Sequence, residues 1–268
     1  MLINFFKNVL KTVLPERIRG LLTGLFYGWH GNYQTWNAAS TKCTGYNTPG
    51  ILEKIAESTA IVRDSQTGYE RDSVIYNKIQ YSYPVLAGLM LVASKHNNNL
   101  NVLDFGGALG SSYFQNKRFL DLLNNVNWGI VEQSDFVELG KNDFTTERLQ
   151  FFYSVDECLS SYKPHAVLLS GVLQYLEDPF KFIDELVSKD IEFIIIDRTC
   201  FVKGNERITI QKVHPAIYKA TYPCWFFNKD RFINYLSGSY ELLLEFDALD
   251  KANFPSEFKG FIFKRSNV

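Results

Sequence analysis

The stretch VLDFGGALGSS, residues 102–112, places an aspartate at the end of an apolar run and directly before a cluster of glycines. An apolar strand that ends in a glycine turn is typical of doubly wound α/β proteins, in which the turn lets a ligand approach the backbone closely. The negative charge of Asp104 at the mouth of this turn restricts the ligands that the turn could bind.

The turn departs from the dinucleotide-binding pattern G-x-G-x-x-G at its first position. Gly107 and Gly110 match the pattern, but Phe105 stands where the tightest glycine is required. Asp104 would also repel an anionic pyrophosphate, whereas it would attract a ligand with an ammonium group nearby. S-adenosylmethionine has an ammonium, a sulfonium and no phosphate, so the sequence favours this cofactor over a dinucleotide.

The composition is that of an ordinary globular protein with one large domain. The chain has 268 residues, a formal net charge of -1 and an isoelectric point near 6.4. This balance predicts no nucleic-acid partner, because phosphate binding normally needs a basic excess. The four cysteines lack metal-ligand spacing, and the apolar runs are too short to span a membrane. We therefore expect reduced thiols and a cytoplasmic location.

From residue 98 onward, short aliphatic runs alternate with helical stretches, which predicts a parallel sheet with crossover helices. Only a loop joins the last two strands, so they must pair antiparallel. The expected fold class is α/β, a doubly wound Rossmann-like sheet of about seven strands, five parallel plus a C-terminal antiparallel hairpin, with a mainly helical N-terminal extension. The predicted strands are 100–105, 127–132, 149–153, 165–170, 191–197, 240–247 and 258–265, and the predicted helices are 111–124, 134–141, 155–161, 173–188 and 228–237.

Residues 1–97 are predicted to form the helical N-terminal extension and lid, and residues 98–268 the cofactor-binding domain with a cap insertion at 199–227. Residues 1–25 are amphipathic with a basic side, which predicts a helix that either docks on protein or contacts the anionic inner face of a membrane. Residues 28–50 should be loop with short helical pieces. Within them, Tyr33 and Trp36 either cover the cofactor as part of a lid or belong to a short packed helix.

Residues Asp104 to Gly110 resemble the D-x-G-x-G-x-G motif of class I S-adenosylmethionine-dependent methyltransferases, with Ala108 in place of the middle glycine. The resemblance implies that Glu132, at the end of the next predicted strand, accepts hydrogen bonds from both ribose hydroxyls. The segment LSGVLQYLEDP, Leu169 to Pro179, is similar to the fourth-strand motif of these enzymes, whose loop lies beside cofactor and acceptor. The implied cofactor contacts are Asp104, Phe105, Gly106, Gly107, Ala108, Gly110, Glu132, Gln133, Ser170 and Gly171.

A narrower resemblance is to a methyltransferase family found in bacterial surface-polysaccharide gene clusters. Its matching stretches are G-x-Y-x-x-W-x-x-A from Gly31, GY at Gly45 and Tyr46, LDFGGALGSSYFQ, VEQ, LSGVLQYL, IIIDR and IYKATYPCWFF, which together span residues 31–227. It implies O-methylation of a saccharide or a surface-glycan intermediate. Methylation of a small metabolite or of nitrogen, and a noncatalytic module in glycan assembly, stay open as alternatives. A nucleotide-sugar dehydrogenase or epimerase is disfavoured, because Tyr218 and Lys219 are adjacent instead of forming a Tyr-x-x-x-Lys pair.

In open α/β sheets, ligands bind beyond the carboxyl ends of the strands, where the strand order reverses. A general base is useful if the acceptor is a sugar hydroxyl, and His214 and Asp197 are the two candidates. The alternatives are that His214 packs or caps a turn and that Asp197 is structural. A metal site needs several carboxylates or amides that converge, and only Asp197 is evident in this region, so no metal is predicted. The residues predicted to contact the acceptor are Gln174, Tyr175, Arg198 and Tyr222.

Overall fold

The computed structural model describes residues 24–46, 50–65, 69–71, 73–76 and 79–266. Nearly all of the predicted amphipathic segment 1–25 therefore lies outside the described residues. Within them, no helix is both long enough and apolar enough to cross a bilayer. The helices are α1 (Trp36–Ser40), α2 (Ile51–Ser65), α3 (Tyr83–Lys95), α4 (Ser111–Leu120), α5 (Ser134–Asp143), α6 (Val155–Ser161), α7 (Pro179–Val187) and α8 (Lys229–Leu236).

The strands fall into a large mixed sheet and a separate two-stranded hairpin, β2–β3. They are β1 (Gly28–Tyr33), β2 (Tyr69–Arg71), β3 (Val74–Tyr76), β4 (Asn99–Phe105), β5 (Asn125–Val131), β6 (Leu149–Phe152), β7 (Ala166–Ser170), β8 (Phe193–Val202), β9 (Arg207–Lys212), β10 (Thr221–Asn228), β11 (Tyr240–Asp247) and β12 (Glu257–Arg265).

Seven strands form the doubly wound sheet that the sequence predicts, in the order β6-β5-β4-β7-β8-β12-β11. The first five are parallel, whereas β12 is antiparallel to both β8 and β11. The α/β fold class is thus confirmed. The strand order reverses between β4 and β7, so the ligand-binding crevice of such a sheet lies beyond the ends of these two strands.

Helices cover both faces of this sheet, which explains why its central strands are apolar on both sides. On one face, α3, α4 and α5 contribute Leu89, Tyr113 and Phe136 to a core cluster, and on the other α6, α7 and α8 contribute Cys158, Ile183 and Phe232. Asp104 continues the face of β4 that bears Leu100 and Val102, so its side chain points into the first of these layers.

The predicted helix 173–188 is divided in two. Leu173–Tyr175 forms a short 3-10 turn, and α7 begins only at Pro179. The cause is local, because Asp178 accepts a hydrogen bond from the backbone N–H of Lys181 as the N-cap, and proline is favoured at the first helical position. Tyr175 is consequently held in a turn directly after β7.

Three strands beyond the predicted seven continue the sheet from the C-terminal end of β8. Strands β9 and β10, from the predicted insertion 199–227, pair antiparallel, and β1 joins β9. We call β1, β9 and β10 the cap sheet. Residues 28–33, interpreted from sequence as loop, are thus a strand, because they pair with residues about 180 positions away, as in Gly28 opposite Lys212. Trp36 stacks on Trp225 of the cap sheet with 6.2 Å between ring centroids, which corresponds to the packing alternative.

Strand β8 belongs to both the doubly wound sheet and the extension formed by the cap sheet, and it contains a bulge between its two pairing regions. The pairing of β12 with β8 slips by one residue, so that Asp197 and Arg198 together lie opposite Gly260. Arg198 has a φ of 56°, a left-handed conformation that is unusual for a bulky residue. The pairing with β7 ends at Asp197, and the pairing with β10 begins at Phe201. The bulge therefore marks the point where β8 leaves one neighbour and takes another.

Candidate active site

The glycine turn follows β4 as predicted and leads into α4. Gly110 ends the turn in a left-handed conformation, with a φ of 102°, and serves as the N-cap of α4. Ala108, in the middle of the turn, also has a positive φ of 50°. A left-handed alanine costs roughly 1 kcal/mol, so this backbone shape is imposed by the surrounding structure and not by residue 108 itself.

Asp104 lies beneath the turn and not open at its mouth, which corrects the expectation from sequence. Its side chain is only 1% exposed, and its carboxylate accepts a hydrogen bond of 3.0 Å from the indole N–H of Trp128 on the neighbouring strand β5. A Cβ atom on Gly107 would lie 2.6 Å from the Asp104 carboxyl carbon. The missing side chain at residue 107 therefore makes room for the buried acid.

A second carboxylate borders the same turn. Glu132 follows β5, and one of its oxygens accepts the backbone N–H of Ala108 at 3.3 Å, while the other accepts that of Gln133 at 2.8 Å. A carboxylate has about four acceptor positions, so Glu132 retains the capacity to accept two hydroxyl groups. The structure thus links the acid after β5 directly to the middle residue of the turn.

The surroundings of the two acids disfavour their ionised forms. Burial raises the pKa of Asp104 from its ordinary value of 3.8 to about 7, the Trp128 hydrogen bond opposes this rise, and the nearby Glu132 carboxylate adds to it. Burial also raises the pKa of Glu132, against the hydrogen bonds from Gln133 and Ala108. Ionising both acids is therefore costly unless positive charge arrives at the turn.

The other predicted cofactor residues take up different positions around the turn. The Phe105 ring packs against Phe182 of α7, with 4.2 Å between centroids, so only its backbone belongs to the turn. Gln133 is exposed and is the N-cap residue of α5. Ser170 ends β7, and the backbone N–H of Gly171 donates to the carbonyl oxygen of Asp197 at 2.9 Å. Ser170 and Gly171 thus lie beside the bulge in β8.

Two predicted acceptor residues, Tyr175 and Tyr222, are brought together by the cap sheet. Their rings meet edge to face with 5.2 Å between centroids. The Tyr175 hydroxyl donates to Oε1 of Gln211 on β9 at 2.6 Å, and the Tyr222 hydroxyl lies 3.3 Å from that of Tyr218. Sequence reasoning missed Gln211, because nothing in its local pattern distinguishes it from any polar residue on a strand.

The other two predicted acceptor residues support the bulge. The side-chain amide of Gln174 donates to the carbonyl oxygen of Arg198 at 3.0 Å, and Gln174 is only 2% exposed. Arg198 forms a bidentate ion pair with Asp250, with N–O distances of 2.9 and 3.2 Å. These contacts stabilise the left-handed conformation of Arg198 in the bulge.

The two candidate bases differ in their surroundings. His214 is exposed in the β9–β10 turn, where its Nδ1 accepts the backbone N–H of Ala216 at 3.1 Å and its ring contacts Tyr27. These contacts correspond to the turn-capping alternative. Asp197 is 6% exposed and is paired in register with Ser170 at the end of β7. Of the two, Asp197 is the one beside the crevice.

The structure adds a residue that the sequence did not indicate. Glu70 of β2 is 5% exposed, and its carboxylate accepts hydrogen bonds from the Ser111 hydroxyl and from the backbone N–H of Ser73. Ser111 is the first residue of α4, directly after the turn. In the described part of the chain, no group of three or more His, Cys, Asp or Glu side chains has a geometry suited to a metal ion.

Comparison with known proteins gives similarity at the level of structure. No protein-family model matches the chain, and no curated sequence is significantly similar to it. Solved structures similar to it include an S-adenosylmethionine-dependent methyltransferase from Clostridium acetobutylicum, with a TM-score of 0.47 and 10% identity over 79% of this chain and 98% of that one. Another is the 1,6-didemethyltoxoflavin-N1-methyltransferase of Burkholderia thailandensis, with a TM-score of 0.45 and 12% identity over 81% and 87% of the two chains.

A third similar structure is the N-terminal domain of EvdMO1, solved in the presence of S-adenosylhomocysteine and D-fucose. Its TM-score is 0.45, and it is 12% identical over 83% of this chain and 100% of that one.

Proposed function

We propose that this protein is an S-adenosylmethionine-dependent methyltransferase. The observation that carries the proposal is the pair of carboxylates at the glycine turn, with Asp104 buried beneath Gly107 and the half-buried Glu132 bonded to Ala108. Such a site favours a ligand with positive charge and vicinal hydroxyl groups, since each can be matched by a carboxylate. It disfavours a pyrophosphate, which would add further negative charge to the turn.

When bound, the cofactor would supply a methyl group on a positively charged sulfur. The chain's own part is to hold the acceptor atom in line with that methyl group and to exclude water, which can lower the barrier substantially without acid–base chemistry. Tyr175, Tyr222 and Gln211 are suited to hold the acceptor, because the cap sheet brings Tyr222 and Gln211 against Tyr175 of the 3-10 turn that follows β7. Asp197 and His214 remain our two candidates for the group that takes up the acceptor's proton.

For the acceptor, we favour a hydroxyl group of a saccharide or a surface-glycan intermediate. Aromatic rings that carry hydroxyl groups, together with an amide, suit a ligand that is both ring-shaped and rich in hydroxyls. The resemblance to the polysaccharide gene-cluster family supports the same class. Methylation of a small metabolite or of nitrogen is the second candidate within enzymes, and a noncatalytic role in glycan assembly is a third.

The placement of the protein in the cell is also part of the proposal. We infer a cytoplasmic protein, with residues 1–25 reaching an anionic membrane face or another protein through their basic side. We retain the division into an N-terminal extension, 1–97, and a cofactor-binding domain, 98–268, in which 199–227 caps the acceptor.

Titration calorimetry with S-adenosylmethionine and with NAD tests the central proposal. We expect saturable binding of S-adenosylmethionine and no heat with NAD, because only the first ligand brings positive charge without phosphate. Binding of NAD alone would contradict the proposal and favour the dehydrogenase or epimerase class.

The affinity for S-adenosylmethionine should depend on pH through Asp104. Because the pKa of this acid is about 7 in the free protein, it is increasingly protonated below pH 7, whereas the bound cation favours the ionised form. We expect the affinity to fall by up to about tenfold per pH unit below 7. Calorimetry between pH 5.5 and 7.5 measures the effect, and a pH-independent affinity would contradict this role of Asp104.

Mass spectrometry of surface glycans tests the acceptor class. We expect a strain without the gene to lack a mass increment of about 14, the difference when one methyl group replaces a hydrogen. Unchanged glycans, together with methylation of an amine by the purified protein, would favour the nitrogen alternative.

A further inference from the structure

The hairpin β2–β3 connects the N-terminal extension to the glycine turn through one acidic residue. The hairpin packs against α2 and α4, and Glu70 contacts the first residue of α4, Ser111, which directly follows Gly110. A second contact lies further along the same helix, where the side-chain amide of Gln115 donates to the carbonyl oxygen of Gln80 at 2.5 Å. The N-terminal extension is thus attached to α4 at both of these points.

Helix α4 has no acidic group of its own at its N-terminus. Its N-cap is Gly110, which has no side chain to accept a hydrogen bond, and its first turn contains no Asp or Glu. The N-terminus of a helix attracts negative charge, and here Glu70 supplies that charge from a distant part of the chain. The hairpin is shaped for this contact, because Ser73 adopts a positive φ of 64° and donates its backbone N–H to the same carboxylate.

Glu70 is therefore the third carboxylate at the turn, after Asp104 and Glu132. Ala108, which is bonded to Glu132, and Ser111, which is bonded to Glu70, are three residues apart, so their backbones lie at most about 11 Å apart. The Debye length at physiological salt is about 8 Å, so this upper bound is about one and a half Debye lengths, and burial weakens the screening. A ligand that spans the turn would experience the charges of both acids.

We propose that Glu70 is a positioning residue for the cofactor, and that its charge orients the ammonium-bearing amino-acid end of S-adenosylmethionine at the N-terminus of α4. The inference rests on the proposed cofactor site. It assigns the two ends of the cofactor to different acids, with Glu132 for the ribose and Glu70, together with Asp104, for the amino-acid end. It also makes the N-terminal extension part of the cofactor site.

The affinities of three ligands for variants of Glu70 distinguish a role in cofactor positioning from a purely structural role. S-adenosylmethionine and S-adenosylhomocysteine both carry the amino-acid end, whereas 5′-methylthioadenosine lacks it. For Glu70→Gln, which removes the charge but retains a hydrogen-bond acceptor, we expect about tenfold weaker binding of the first two ligands. Binding of 5′-methylthioadenosine should change by less than about twofold, since a ligand without ammonium does not experience the lost attraction.

The matched control is Glu57→Gln, the same substitution at an exposed residue of α2 in the same extension. It should leave all three affinities unchanged. If Glu70→Gln weakens 5′-methylthioadenosine as much as the other two ligands, or weakens none of them, the proposal is wrong and Glu70 only caps the helix.

A variant that leaves Glu70 in place guards against loss of folding. Ser111→Ala removes the hydroxyl that holds the carboxylate, and we expect the same ligand selectivity at about threefold. Equal effects of Ser111→Ala on all three ligands would likewise overturn the inference. Failure of the wild-type protein to bind any of the three ligands would refute the proposed function itself, which is a distinguishable result.

Discussion

Replacing Asp104 by asparagine is expected to weaken the binding of S-adenosylmethionine by about 100-fold, which is the usual scale when one partner of a buried charge pair is removed. Asparagine keeps the shape of the side chain and can still accept the indole N–H of Trp128. The loss therefore reports the charge beneath the turn and not a cavity. Titration calorimetry at pH 7.5 measures it.

The same variant should stabilise the ligand-free protein. The pKa of Asp104 is raised in the folded state, so the folded protein binds more protons than the unfolded chain between its ordinary pKa and about 7. The free energy of unfolding therefore falls as pH rises through this interval. Above pH 7 the total decrease is on the order of 2 to 4 kcal/mol. Asparagine does not ionise, so Asp104→Asn avoids this cost.

Thermal unfolding at pH 8 and pH 5 measures this second effect. We expect a higher melting temperature for Asp104→Asn at pH 8 and a much smaller difference at pH 5, where the wild-type acid is largely protonated. Asp121→Asn, at an exposed residue paired with Lys117, is the matched control and should show neither effect. A variant that binds the cofactor normally, or that is destabilised at both pH values, would contradict our assignment of Asp104.

The second large effect is expected from Gly107→Ala. The added Cβ would lie 2.6 Å from the Asp104 carboxyl carbon, well inside normal contact distance, so the acid or the turn must move by about 1 Å. Displacements of this size in a preorganised site can reduce its performance by roughly 100-fold. We expect a loss of S-adenosylmethionine affinity of at least about 30-fold with the fold intact.

Calorimetry and far-UV circular dichroism together test this expectation. Gly238→Ala is the control, because a Cβ atom added at Gly238 would have no other atom within 4 Å and the φ of this glycine is not positive. It should bind like the wild type. Normal affinity in Gly107→Ala would show that Asp104 can move without consequence, and the site would then need another explanation.

Local sequence patterns predicted the strands and helices of the doubly wound sheet well. The strand that ends at Phe105, the helix that begins at Ser111 and the C-terminal hairpin all lie within a few residues of their predicted bounds. Each of these signals is local, because it depends on hydrophobic period, on glycine at a turn or on loop length. The same holds for Glu132, whose position at the end of a strand follows from the alternation that precedes it.

Other features have no local signal. The cap sheet requires residues 28–33 to meet 207–212, and a pairing over such a separation cannot be recognised from either segment alone. The bulge at Arg198 depends on the pairing of β8 with β12, and the hydrogen bond of Tyr175 to Gln211 joins two segments 36 residues apart, so they too escaped prediction. The buried Asp104 carboxylate accepts a hydrogen bond from Trp128 on the neighbouring strand, and no local pattern in the sequence indicates that these two residues meet.

The sequence by itself determined that the chain forms an α/β sheet with a glycine turn and an acid at its first strand, since hydrophobic periodicity and turn chemistry act over a few residues. Only the tertiary structure decided that this acid lies beneath the turn, that Tyr175 and Tyr222 meet, and that Glu70 reaches the first residue of α4. These arrangements join segments far apart in the chain, and their geometry follows from how the layers pack and not from any one segment.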